Sequence, residues 1–170
     1  MNKNNKRSAR SFAFAMALGM LAALPVLAAW KTGERLPALG AFQLEGQVPA
    51  LAGRVVLVDF WASWCGPCQR SFPELDKLQT AYADRGLTIL AVSVDEKAGP
   101  MEAFLKEHPV TFATARDAGQ KLVAAAGVES MPSSFLVDRK GVIRYTHVGF
   151  RGEATVKQLK QEIEQLLAEK

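Results

Sequence analysis

The chain of 170 residues contains two cysteines, Cys65 and Cys68, inside the stretch FWASWCGPCQRSFPEL (Phe60–Leu75). Two thiols three positions apart admit three chemistries: a structural staple, half of a metal site, or a dithiol that opens and closes. A staple is a poor use of this pair. The stabilisation a disulfide gives grows with the loop it closes, and this loop is among the shortest a chain can make. Zinc asks for four ligands. Only His108 and His147 could join the cysteines, and their spacing matches no zinc finger. Each histidine reads more simply as a surface or strand-end residue, and no metal site is expected. A redox pair is the chemistry that fits.

Such a pair must be held by regular elements. RVVLVDFW (Arg54–Trp61) is a β-branched apolar run, the pattern of a strand buried on both faces. A helix is expected to start near Cys65. Pro67 suits a first helical turn, Phe72, Leu75, Leu78 and Tyr82 recur at helical spacing, and Gly86 ends the run. Asp59 stands in the middle of the apolar run, where an acid is costly to bury. Either it lies on a sheet edge and reaches water, or it is a buried acid behind the thiols.

The remaining elements follow from period and punctuation. Phe42–Leu44 reads as a short edge strand and Leu87–Asp95 as a second buried strand. Gly99–Pro100 opens a helix that Pro109 stops, and VTFATA is a short strand. AGQKLVAAAGV is a helix ended at Gly127. SSFLVD and VIRYTHVG are strands joined by RKG, a hairpin signal. The last helix carries Val156, Leu159, Ile163, Leu166 and Leu167 on one face. The order predicts an α/β protein with a mixed central sheet flanked by helices.

With these elements placed, VDFWASWCGPC, the Met131–Pro132 pair before the hairpin and Val148–Gly149 after it together resemble the thioredoxin superfamily. The segments VSVDE, FLKEH and FATARD are similar to the helix–strand insertion of its exported TlpA/ResA-like branch. The resemblance spans roughly residues 36–168. It implies a thioredoxin-like fold with that insertion, and dithiol–disulfide exchange without a bound cofactor. Helix placement points the same way. At a helix N-terminus, unpaired N–H groups and the dipole favour the Cys65 thiolate, the attacking species. Cys68, one turn on, would be the resolving thiol. Asp59 stands where thioredoxins have the aspartate that deprotonates the resolving cysteine. The resemblance further implies a cis bond before Pro132, with the Met131 backbone offered to an extended substrate. Trp64 reads as a substrate-facing lid, Phe60 and Trp61 as packing, and Gly149 either as a point of close backbone approach or as a simple strand-end glycine.

The chain departs from these patterns at three positions. Ser71 stands where the TlpA/ResA-like branch often has a glutamate, and Asp59 where that branch tends to be neutral. Ala91 stands where thioredoxins often have a lysine, so no obvious group offsets the burial of Asp59. The likeness implies reduction of disulfides in exported proteins, apocytochrome c among them, with electrons from a membrane thiol carrier. A disulfide oxidase or isomerase on the same fold, and a non-catalytic peptide-binding module, remain alternatives. A peroxidase pattern, Pro-x-x-x-Thr-x-x-Cys, is absent.

The N-terminus begins with Lys3, Lys6, Arg7 and Arg10 and continues without a charge through SFAFAMALGMLAALPVLA, ending in Val26 and Ala28. That is the layout of a secretory signal over residues 1–28, with a membrane anchor over residues 11–29 as the alternative. The domain is then 29–170, in a periplasmic or other extracytoplasmic setting. The whole chain carries 21 basic and 17 acidic residues, and without the leader's four basic residues the balance is 17 to 17. The basic excess therefore belongs to the leader and gives no reason to expect nucleic-acid binding. A monomer is expected.

Overall fold

The computed structural model describes residues 29–169. The leader assigned to residues 1–28 lies outside them. Among the described residues, no helix is long and apolar enough to cross a membrane.

The chain runs β1 (Glu45–Gly46), β2 (Val55–Trp61), α1 (Gly66–Tyr82), β3 (Leu87–Ser93), α2 (Ala98–Glu107), β4 (Ala113–Arg116), α3 (Lys121–Ala126), β5 (Ser133–Val137), β6 (Ile143–Val148) and α4 (Glu153–Ala168). The strands form one mixed sheet ordered β1-β4-β3-β2-β5-β6. β2, β3 and β4 run parallel, while β5 pairs antiparallel with β2, and β6 with β5. This is the thioredoxin-like fold, and α2 with β4 is the inserted helix–strand unit. One expectation is corrected. Leu39–Phe42 forms a 3₁₀ turn rather than leading into a strand over Phe42–Leu44, and Gln43 then adopts a left-handed conformation with φ 53°. That reversal moves the edge pairing to Glu45–Gly46.

Every residue of β2 is buried, as its unbroken apolar run requires. Successive side chains alternate between faces. On one face Trp61 packs on Phe72 of α1 and Phe104 of α2, with ring centroids 4.4 and 5.1 Å away. On the other, Phe60 meets Trp30 at 5.9 Å and Phe135 of β5 at 6.0 Å. Leu159, Ile163, Leu166 and Leu167 form the buried side of α4, the face read from the sequence. The central position of β2 fixes where the redox segment emerges, because α1 starts immediately beyond the strand's C-terminal end.

β1 closes one side of the sheet. Its two residues pair with Arg116 and Ala115 of β4, and Glu45 binds Arg116 through a 2.6 Å ion pair. Gly46 has φ 110°, and a Cβ there would lie 2.8 Å from the Thr114 carbonyl oxygen, so glycine is required on both counts.

Candidate active site

Cys65 is the N-cap residue of α1, with extended backbone at φ −86° and ψ 101°, and Pro67 occupies the first turn. The geometry follows from the local sequence: the strand ends at Trp61, Ala62–Trp64 turn the chain, and Gly66-Pro67 begin a helix where a proline's missing N–H is no loss. Cys65 and Cys68 form a disulfide with a Cα–Cα separation of 5.2 Å. The Cys68 amide donates to Cys65 Sγ over 3.2 Å. That amide is one of the donors a helix start leaves unpaired, so charge developing on Cys65 sulfur has a partner in place. Cys65 is 6 % exposed and Cys68 is fully buried. An incoming sulfur therefore has access to Cys65 alone. Ser71, one turn further on, is buried and donates to the Cys68 carbonyl oxygen over 2.8 Å.

Asp59 is 1 % exposed on the central strand β2, which removes the reading of an acid at a sheet edge. Its register partner on β3 is Ala91, so that strand supplies no cation. A neutral donor on β5 offsets its burial in part. Ser134 on β5 donates its hydroxyl to Asp59 Oδ1 over 2.7 Å, while Oδ2 has no partner among the described residues. Burial pushes the Asp59 carboxyl up to about 7, and the Ser134 hydrogen bond works against that rise. Such a carboxyl can exchange a proton near neutrality.

A second buried acid lies beside the redox loop. Asp95 follows the end of β3 and is 2 % exposed. It accepts from the Ser63 amide at 2.9 Å, the Ser63 hydroxyl at 2.7 Å and the Ser93 hydroxyl at 2.7 Å. Ser63 precedes Trp64 and Cys65, so this carboxylate ties the redox loop to the sheet. Trp64 itself is 69 % exposed. It borders an 860 Å³ cleft that Met131, Val94, Glu96 and Lys97 also line. The Met131–Pro132 peptide is cis. Gly149 donates its amide to the Pro132 carbonyl over 2.7 Å, which joins the end of β6 to this turn.

Of the histidines, His147 is tied to Glu162 of α4 over 2.6 Å, and His108 stacks on Phe104 at 4.5 Å. Neither is placed with the cysteine pair. Asp95, Ser63 and Ser134 were not read from the sequence as site residues. A usable signal existed for Ser134: two adjacent serines opening a wholly buried strand must find partners.

A disulfide at a helix start, closed by two residues and standing at the end of the central strand of this fold, defines a thiol–disulfide oxidoreductase. The Redoxin family profile matches residues 31–163, and the chain belongs to that family. Thiol-disulfide oxidoreductase ResA of Bacillus thuringiensis (strain Al Hakam) is 32% identical over 130 residues, covering 75% of this chain and 73% of its own. Thioredoxin-like protein YneN of Bacillus subtilis (strain 168) is 33% identical over 138 residues, with 78% of each chain covered. A crystal structure from Chlorobium tepidum, described as that of a candidate thiol:disulfide interchange protein DsbE, superposes with a TM-score of 0.76 at 38% identity, over 82% of this chain and 100% of that one. The chain is an enzyme of thiol–disulfide exchange in the TlpA/ResA-like part of the thioredoxin superfamily.

Proposed function

We propose that the enzyme reduces disulfides of exported proteins, with Cys65 as nucleophile, Cys68 as resolving thiol and Asp59 as proton acceptor. The observation that carries this reading is the unequal placement of the two sulfurs, one at the helix start within reach of a backbone N–H and the other fully buried. In the reduced enzyme the Cys65 thiolate attacks a substrate disulfide. A mixed disulfide forms and one substrate sulfur leaves as a thiolate. Cys68 gives its proton to Asp59, and its thiolate attacks Cys65 Sγ. The Cys65–Cys68 disulfide closes, the second substrate sulfur leaves, and two electrons have passed to the substrate. Trp64 and Met131, the residue before Pro132, border the cleft in which an extended segment of the substrate is held.

The basic and apolar leader supports an extracytoplasmic site of action, with residues 1–28 removed and residues 29–170 as the working domain. There the electrons come from a membrane thiol carrier, and apocytochrome c is a target suited to a reductant in that compartment.

Trapping tests the assignment of the cysteines. Cys68→Ser is expected to accumulate mixed disulfides on Cys65, and Cys65→Ser is not; equal trapping by both would overturn the roles. The reduction potential tests the direction. A value near about −270 mV, as in thioredoxin, marks a reductant, and one near about −120 mV would reverse the assignment.

A further inference from the structure

The strand that supplies the Asp59 partner is also the strand that leads out of the Met131–Pro132 turn. Ser134 is two residues beyond Pro132, and its hydroxyl reaches Asp59 Oδ1 across 2.7 Å. Asp59 is 1 % exposed and Ser134 7 %, so water does not compete for this bond. The segment between turn and acid is pinned at two further points. The Ser133 hydroxyl donates to the Ser130 carbonyl oxygen over 2.7 Å, and the Pro132 carbonyl accepts from Gly149 over 2.7 Å.

Register places Ala91, Asp59, Ser134 and His147 in one row across β3, β2, β5 and β6. Paired residues of adjacent strands point to the same face. Ala91 offers only a methyl group. His147 is engaged by Glu162 of α4. From α1, Cys68 is buried against the sheet, as is Tyr82 at the far end of the helix, whose hydroxyl donates to Glu164. α2 contributes Phe104. Among the described residues, the Ser134 hydroxyl is thus the hydrogen-bond donor to the Asp59 carboxyl.

We propose that Ser134 is a positioning residue for thiol–disulfide exchange: its hydroxyl orients the Asp59 carboxyl, leaves Oδ2 as the oxygen that receives the Cys68 proton, and ties that acid to the Met131–Pro132 turn. The inference rests on the reading of Asp59 as proton acceptor. An oxygen that accepts a hydrogen bond is the less basic of the two, so the proton goes to Oδ2. It stays there while the Cys68 thiolate displaces the substrate sulfur, and returns to Cys68 when a reduced thiol donor next opens the Cys65–Cys68 disulfide. The bond also favours the ionised carboxylate, so Ser134 keeps the proton-accepting form populated at neutral pH.

The test is a titration of the Asp59 carboxyl in the oxidised protein, by infrared difference spectroscopy or carbon NMR, paired with the rate of mixed-disulfide resolution against pH. Ser134→Ala is expected to raise the carboxyl midpoint by about one pH unit, the scale of one hydrogen bond to a charged group. Resolution at pH 7 then falls about fivefold, because less of the acid is ionised. Ser134→Thr restores both values. Ser134→Val, which keeps the bulk of Thr without the hydroxyl, does not, and this pair carries the contrast if the alanine variant fails to fold. An unmoved midpoint in the variants that lack the hydroxyl overturns the proposal while leaving Asp59 as acceptor. A midpoint that moves without any change in resolution overturns it through Asp59, since the acid then takes no part in the step.

Discussion

Asp59 and Asp95 lie on or just beyond neighbouring central strands, and both are almost wholly removed from water. They differ in what surrounds them. Asp95 receives three hydrogen bonds shared between its two oxygens. Among the described residues Asp59 receives one, and its second oxygen has no partner. A carboxylate supplied with donors is a fixed point to which a loop can be tied, and Asp95 holds Ser63 in this way. A carboxylate starved of donors prefers its proton, and burial pushes Asp59 up to about 7. The contrast shows that depth of burial alone does not assign a role to an acid. The number of donors is what separates these two.

The largest effect that can break this comparison is the pH dependence of stability. The folded Asp59 carboxyl keeps its proton to about pH 7, whereas an unhindered one releases it near 3.8. Between these values the unfolded chain has released the proton and the folded protein still binds it, so this contribution is complete below about pH 4 and is lost as the pH rises toward neutrality. The loss amounts to about 4 kcal/mol. Denaturant unfolding of the oxidised protein from pH 4 to 8 measures it. Asp59→Asn is expected to flatten the curve. At neutral pH it should raise stability by about 1–3 kcal/mol, a smaller gain because the amide also leaves polar atoms without partners. The same variant should resolve mixed disulfides more slowly at pH 7, with the gap closing at alkaline pH, where Cys68 ionises unaided. A variant that melts lower, or that resolves at the wild-type rate, would sink the reading.

Asp95→Ala should move stability the opposite way, by about 2 kcal/mol downward, since Ser63 and Ser93 lose the acceptor they share. Exchange should slow as well, because the loop before Cys65 loses its anchor, and Ser63→Ala should reproduce part of both effects. Equal stability of Asp95→Ala and wild type would remove the anchor. The smallest expected change in stability is at Trp64. Its side chain is 69 % exposed, so Trp64→Ala should leave the melting transition within about 0.5 kcal/mol. KM for a protein disulfide should rise, and an unchanged KM would remove Trp64 from the cleft's function.

The redox pair, its helix start and the strand behind it are written locally, within Arg54–Tyr82. Periodicity and a single proline are enough to place them. The hairpin and the last helix were legible for the same reason. What sequence reading missed depends on register between distant segments. Ser134 meets Asp59 only because β5 pairs antiparallel with β2 in one particular alignment. Asp95 meets Ser63 because β2 and β3 run parallel with Trp61 opposite Ser93, so the residues two further on in each segment come together, and no local pattern encodes that register. Trp30 joins Phe60 and Phe135 from a segment with no regular structure. The 3₁₀ turn at Leu39–Phe42 displaced a strand by three residues, because a left-handed Gln43 has no strong sequence mark.

The two-residue strand β1 has a consequence for how the protein keeps company with other chains. An open row of backbone N–H and C=O groups is a template on which any extended polypeptide can nucleate, and aggregates grow from such rows. β1 seals β4 with the smallest strand that can do so, places a charged pair over the join, and ends in a glycine whose tight approach leaves no room for a side chain. The sheet is thereby protected on that flank from being drawn into the β-assembly of another extended chain.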